Sequence, residues 1–297
     1  MTCRRDHGSR DRQVSLCEEK EGERMNQEER LEYLVKQFAE DSMQYRDLEI
    51  PSDTEGRKRL LRSLMNIRMP KILPPKVLGV QDEYLQERSR EKGIVAVSDI
   101  PAASESGSRH PFSERISIWQ GDITRLAADA IVNAANSQML GCFVPMHNCI
   151  DNCIHTYAGV QLRYECGRQM RALKAKYGQD YEQPTAVPIL TDAYNLPAKK
   201  IIHIAGPIVS GKLTEKLEKD LADCYTNILD LCLKNGLRSV AFCCISTGVF
   251  SFPNRRAAQI AVKSVTQWLT EHPDAMDRVI FNVFKDEDRY YYEQELY

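Results

Sequence analysis

The chain has 297 residues, a hydrophobic fraction of 42% and a formal net charge of -2. That composition excludes wholesale disorder, and the near-neutral charge argues against a general nucleic-acid binder, which is usually strongly basic. No run of about 18 apolar residues predicts a membrane span, and the charged first residues carry no secretory leader, so the ten cysteines read as reduced thiols of a cytoplasmic protein.

In chain order, residues 1–24 read as a disordered tail, because half of them are charged and their apolar residues are scattered. Residues 25–113 read as an N-terminal helical extension and linker. Leu31, Leu34, Val35 and Phe38 recur at helical spacing, further helical runs are predicted over Arg57–Ile67 and Val77–Lys92, and Pro70, Pro74 and Pro75 break the chain between them. These helices are too few to promise a core of their own and are expected to pack on the larger domain C-terminal to them. Residues 98–113 read as a connecting loop.

From residue 114 to 297 short apolar runs alternate with helical periodicity. Strands are predicted at Ile116–Trp119, Ala130–Ala134, Ala186–Leu190, Ile201–Ala205, Val240–Ile245 and Val279–Phe284. Helices are predicted over Asp151–Tyr177, over Leu213–Lys234 with Asn235-Gly236 as its stop, and over Asn254–Leu269, with a charged helix at the end. The pattern predicts an α/β sandwich around a central sheet. Cys166, Cys224, Cys232, Cys243, Cys244 and His203 lie in apolar contexts and read as core. Tyr290–Tyr292 could stack on a base, but packing explains them as well.

Four segments carry candidate chemistry. Asp122, in Gln120-Gly-Asp-Ile-Thr, follows a strand and can accept from a ligand amine, though Asp there also suits a helix N-cap. Asn133 and Asn136, in Ile131-Val-Asn-Ala-Ala-Asn, offer donors and acceptors to a sugar, or shape a turn. Ser246-Thr-Gly-Val-Phe250 lies between a buried strand and a helix. Its backbone N–H groups can cradle phosphate, with Phe250 and Phe252 packing on a sugar, or it is a plain connection. Between Cys142 and His155 stand three Cys, two His and Asp151. Cys142, His147 and Cys149 have the spacing of a loop around a soft cation. Three such ligands leave a fourth Zn²⁺ position open, as catalytic sites do. Cys153 is a rival ligand, and the alternative is a set of small buried thiols. Asp151 falls in the first turn of a helix, where its charge also suits the helix dipole.

Together these segments resemble the macrodomain family of ADP-ribose-binding modules. Gln120-Gly-Asp-Ile-Thr, Ile131-Val-Asn-Ala-Ala-Asn and Ser246-Thr-Gly-Val-Phe match its three signatures in order, over roughly 114–290. The family's glycine run is replaced by Gly141-Cys-Phe-Val-Pro-Met-His-Asn-Cys, which resembles the zinc-dependent branch. The resemblance implies a three-layer α/β/α fold with a central mixed sheet. It places Asp122 and the Ile123 backbone at adenine, and Asn133 and Asn136 at the distal ribose. Ser246, Thr247, Gly248, Val249 and Phe250 fall around the diphosphate and that ribose, and Cys142, His147 and Cys149 fall on one Zn²⁺. Asp151 matches the family's Val-Asp motif and is the candidate catalytic residue. The implied activity is hydrolysis of mono-ADP-ribose from protein side chains, Asp or Glu esters first, with mono-ADP-ribosylated proteins and ADP-ribose as partners. The alternatives are a non-catalytic reader module and a structural zinc site.

Overall fold

The structure, a computed structural model, describes residues 25–297; the expected tail, with Cys3 and Cys17, lies outside them. Helix α1 (Gln27–Glu40) starts with a capping box in which Asn26 and Glu29 bond each other's backbone, and α2 (Thr54–Ile67) is capped by Asp53. Each cap contributes about 1 kcal/mol. Asp53 is why α2 begins three residues before the predicted run over Arg57–Ile67. Pro75 opens α3 (Pro75–Lys92), where its missing N–H costs nothing.

The three apolar faces converge. Leu31, Leu34, Val35 and Phe38 meet Leu61, Leu64 and Met65, with Val77, Tyr84 and Leu85, in a buried cluster joined by Val160. The extension therefore has a small core of its own, contrary to the expectation from helix count. It also docks on the α/β domain, as expected: α2 and α3 both pack on α4 (Ile150–Ala158).

After a two-residue strand β1 (Val95–Ala96) and two 3-10 turns within the linker, the main sheet begins. Its strands are β2 (Ile116–Gln120), β4 (Ala130–Ala135), β5 (Ile189–Asp192), β6 (Lys200–Ala205), β7 (Ser239–Phe242) and β8 (Arg278–Val283). A short β3 (Leu126–Ala127) pairs with β1 instead. The order is β2-β8-β7-β4-β6-β5, and only the β5–β6 pair is antiparallel. The central strands are apolar along most of their length because helices cover both faces. Helix α4 and α5 (Val160–Tyr177) pack together and on β4 and β5. Helices α6 (Glu215–Lys234), α7 (Asn254–Glu271) and α8 (Asp286–Leu296) form a second group. The result is the three-layer sandwich with a mixed sheet.

Two elements differ from expectation. The predicted helix over Asp151–Tyr177 is broken at Gly159, which takes a φ of 97°. Any Cβ there would press within 2.8 Å of Gln81 Nε2. The strand predicted at Ala186–Leu190 starts only at Ile189, because Ala186 turns at a φ of 64°. Gly236, at a φ of 65°, does end α6 as its Asn-Gly pair predicts. No helix among the described residues is long and apolar enough to cross a membrane.

Candidate active site

Strand order, not strand direction, reverses between the parallel neighbours β4 and β7: the connection from β4 runs towards β6, and that from β7 runs towards β8. Open α/β sheets bind ligands in the crevice at such a switch point, beyond the carboxyl ends of the strands. All four candidate segments lie at these ends.

Beyond β2, Asp122 Oδ1 accepts from Thr124 N (3.0 Å) and Oγ1 (2.6 Å), capping a short 3-10 turn, and Ile123 turns its side chain into the core. The cap is therefore present. The second oxygen, Oδ2, receives Lys92 Nζ at 2.6 Å. Burial works against the Asp122 charge, but Lys92 and the Thr124 bonds outweigh it and hold the carboxyl below its usual range. Lys92 also bonds Thr124 Oγ1 and lies 3.6 Å from the centre of the Tyr157 ring.

On β4 and just beyond it the two asparagines separate. Asn133 is wholly buried. Its Nδ2 donates to Asp151 Oδ1 (2.7 Å) and His203 Nδ1 (2.9 Å), so this end of the amide faces the interior. The reason is register: β4 pairs Asn133 with His203 of β6. That bond places the ring proton on His203 Nε2, facing Thr191 Oγ1 at 3.0 Å. Asn136 stays half-exposed and shapes a turn, its Oδ1 accepting from Gln138 N. Asp151 is buried; burial, offset in part by Asn133 and Arg163, raises its carboxyl to about 6.

The loop from Gly141 to Cys149 brings Cys142, His147 and Cys149 together, with their ligand atoms all within 4.8 Å and Cys142 Sγ 3.7 Å from His147 Nδ1. Two thiols and an imidazole at this separation suit a soft divalent cation such as Zn²⁺. Gly141, at a φ of 81°, lets the loop approach: a Cβ there would stand 2.7 Å from the His155 ring. Met146, at a φ of 58° just before His147, stores strain on the order of 1–3 kcal/mol. Cys149 also caps α4, its Sγ accepting from Asn152 N. Cys153 turns to Arg62 and lies outside the three-ligand group.

A second trio, His155, Cys166 and His203, is also close-set, but it is sealed in the interior. Both His203 nitrogens already serve Asn133 and Thr191, so the trio matches the expected core role of Cys166 and His203. Cys224, Cys232 and Cys243 are likewise buried, while Cys244 is partly exposed.

Beyond β7, Ser246 takes a φ of 65° with its Oγ buried and unpartnered among the described residues. Thr247 Oγ1 donates back to Cys244 O (3.0 Å), and Gly248 and Val249 stand exposed at the tip, Val249 at 79%. Phe250 is half-buried, whereas Phe252 is 1% exposed and belongs to the core, not to a sugar site. Helix α7 comes next, with no side chain capping its first turn.

Lys92, Arg62, Asn66, Arg163 and Gly206 escape a reading of motifs. Gly206 follows β6 under this loop, where a Cβ would collide with Ser246 Oγ and come within 2.7 Å of Ile245 Cγ2. Its one local signal is a Gly-Pro pair at a strand end.

Comparison with known proteins agrees with this geometry. The Macro domain family model matches residues 132–261. A protein-ADP-ribose hydrolase of Treponema medium is 45% identical over 268 residues, covering 90% of this chain and 98% of that one. The chain belongs to the macro domain family. A protein-ADP-ribose hydrolase of Staphylococcus aureus (strain MRSA252) is 40% identical over 89% of this macro domain protein and 94% of its own length. Among solved structures, the Trypanosoma brucei macrodomain in complex with ADP-ribose superposes with a TM-score of 0.59 at 29% identity, covering 78% of this chain and 94% of that one. The Oceanobacillus iheyensis macrodomain with ADP gives 0.54 at 32% identity, over 63% and 92%.

Proposed function

We propose that this macro domain protein is a hydrolase that removes mono-ADP-ribose from modified protein side chains, with Zn²⁺ held by Cys142, His147 and Cys149. One observation carries the reading: the Cys/His trio and buried Asp151 stand at the same strand ends as the Ser246–Phe250 loop. The hydrolase names of the Treponema medium and Staphylococcus aureus relatives support it.

The chain's own groups divide the work. The backbone of Ser246–Phe250 and the uncapped start of α7 receive the diphosphate, where unpaired N–H groups and the helix dipole favour an anion. Asp122, kept ionised, accepts from the adenine amino group. Asn136 and Phe250 border the distal ribose. Asp151, with its carboxyl raised to about 6, is suited to taking a proton near neutrality, and Asn133 holds it in place. A bound Zn²⁺ would supply Lewis acidity at the oxygen substituents of the distal ribose. Water replaces the side-chain oxygen, the bond to the ribose side breaks, and ADP-ribose and the free side chain leave. An ester to Asp or Glu is the favoured linkage, because a carboxylate leaves with little acid assistance.

A reader module would share the phosphate loop but has no use for the Cys/His trio. The deciding experiment is release of ADP-ribose from Glu-, Ser- and Arg-linked substrates, with and without chelator. Release from Glu-linked substrate that stops on metal removal supports the proposal. Full activity in zinc-free protein overturns the metal assignment, and binding with no release favours the reader.

A further inference from the structure

The loop that gathers Cys142, His147 and Cys149 has almost no secondary structure of its own. Within 141–149 the backbone bonds to itself at His147 N to Val144 O, and little else is shared along the chain. Side chains from outside the loop do the holding. From α4, Asn152 Nδ2 donates to Val144 O (2.9 Å) and Cys142 O (3.3 Å). From α5, Arg163 donates to Leu140 O (2.7 Å) and Cys142 O (3.4 Å).

Two further holders come from the N-terminal extension. Arg62 Nη2, on α2, donates to His147 O at 2.8 Å and Asn152 Oδ1 at 2.9 Å. Asn66 Oδ1, at the end of the same helix, accepts from Met146 N at 3.0 Å, and its Nδ2 is anchored on Thr156 Oγ1. Asn66 is 1% exposed, and its bond to Thr156 is made away from water. The two contacts bracket one ligand. Asn66 grips the amide of strained Met146, and Arg62 grips the carbonyl of His147 itself. Arg163 ties the arrangement together by also donating to Met65 O, Asn66 O and Arg68 O, the free carbonyls at the end of α2.

We propose that α2 is a positioning element of the metal loop, and that Arg62 and Asn66 set how tightly Cys142, His147 and Cys149 hold a divalent zinc-type cation. The inference rests on the zinc reading of the proposed function. The groups that orient metal ligands contribute to affinity because they remove alternative ligand directions before the ion arrives. Here that role falls to residues roughly eighty positions earlier in the chain.

The test uses the full chain as wild type, Arg62→Met, Arg62→Lys and Asn66→Ala. Zinc affinity is measured by competition with a chromogenic chelator, and site geometry by the visible absorption of the Co²⁺-loaded proteins. Thermal midpoint and ADP-ribose affinity are measured on metal-free protein. Arg62→Met and Asn66→Ala are expected to weaken zinc binding roughly 10–100-fold and to change the Co²⁺ spectrum, with metal-free ADP-ribose affinity kept and Arg62→Lys recovering part of the loss. Unchanged zinc affinity in folded Arg62→Met and Asn66→Ala overturns the proposal, as does a loss that only tracks the thermal midpoint and ADP-ribose affinity downward. A wild-type chain that takes no zinc removes the metal reading itself, and the positioning role with it.

Discussion

Lys92 Nζ stands 2.6 Å from Asp122 Oδ2, so the last turn of α3 touches the end of β2 at the mouth of the site. Helices outside the sandwich thus shape the candidate adenine end as well as the metal loop. The extension is part of the site's frame, and its own small core gives it the rigidity to serve as one.

Lys92→Met should lower stability by about 0.5–1 kcal/mol, since the pair is only partly buried and solvent screens it. Because the Asp122 carboxyl lies below its ordinary range, the pair's contribution is full above about pH 4 and fades as pH falls below it. Urea midpoints of both proteins from pH 7 to pH 3 check this. The gap between them should narrow only at the acid end, and also in high salt.

Asp151→Asn keeps the shape that Asn133 grips but removes the carboxylate. Turnover should fall at least about 100-fold while ADP-ribose still binds. Cys142→Ala should abolish turnover and zinc uptake and also spare ADP-ribose binding. Calorimetric titration with ADP-ribose beside a release assay separates the two effects.

Gly206→Ala should weaken ADP-ribose binding, because the new methyl occupies the space of Ser246 Oγ and pushes on Ile245. The loop must then move off the α7 terminus. A loss of affinity for both ADP-ribose and ADP is expected, since the two share the diphosphate. Retained affinity would show that the loop tolerates the shift.

His203 is buried and neutral, its ring held down to about 3 by burial. An unfolded histidine takes up a proton near pH 6.5, whereas the native one does not until far lower. Native stability should therefore be full above about pH 6.5 and decline as pH falls below it. Denaturant midpoints from pH 7.5 to pH 5 should show the decline, and His203→Gln should make it shallower, the buried His155, held well below its ordinary range, keeping part of it.

Much of this was legible locally. Helical periodicity located α1, α6 and α7, apolar runs located the central strands, and Cys142, His147 and Cys149 announced their chemistry by lying within one short loop. Errors fell where a backbone turn interrupts a continuous pattern, as at Gly159 and Ala186. They also fell where one side chain has two directions available. Phe252 suited a ligand by residue type, yet packing turns it inward.

The sequence by itself determined the order of elements, the α/β class and the four candidate segments, because each is written in neighbouring residues. Only the tertiary structure decided that Lys92 meets Asp122, Arg62 meets His147, Asn133 serves Asp151, and Gly206 makes room for Ser246. Those pairings depend on how strands align and how helices dock across long stretches of chain, and no local spacing of residue types specifies that alignment.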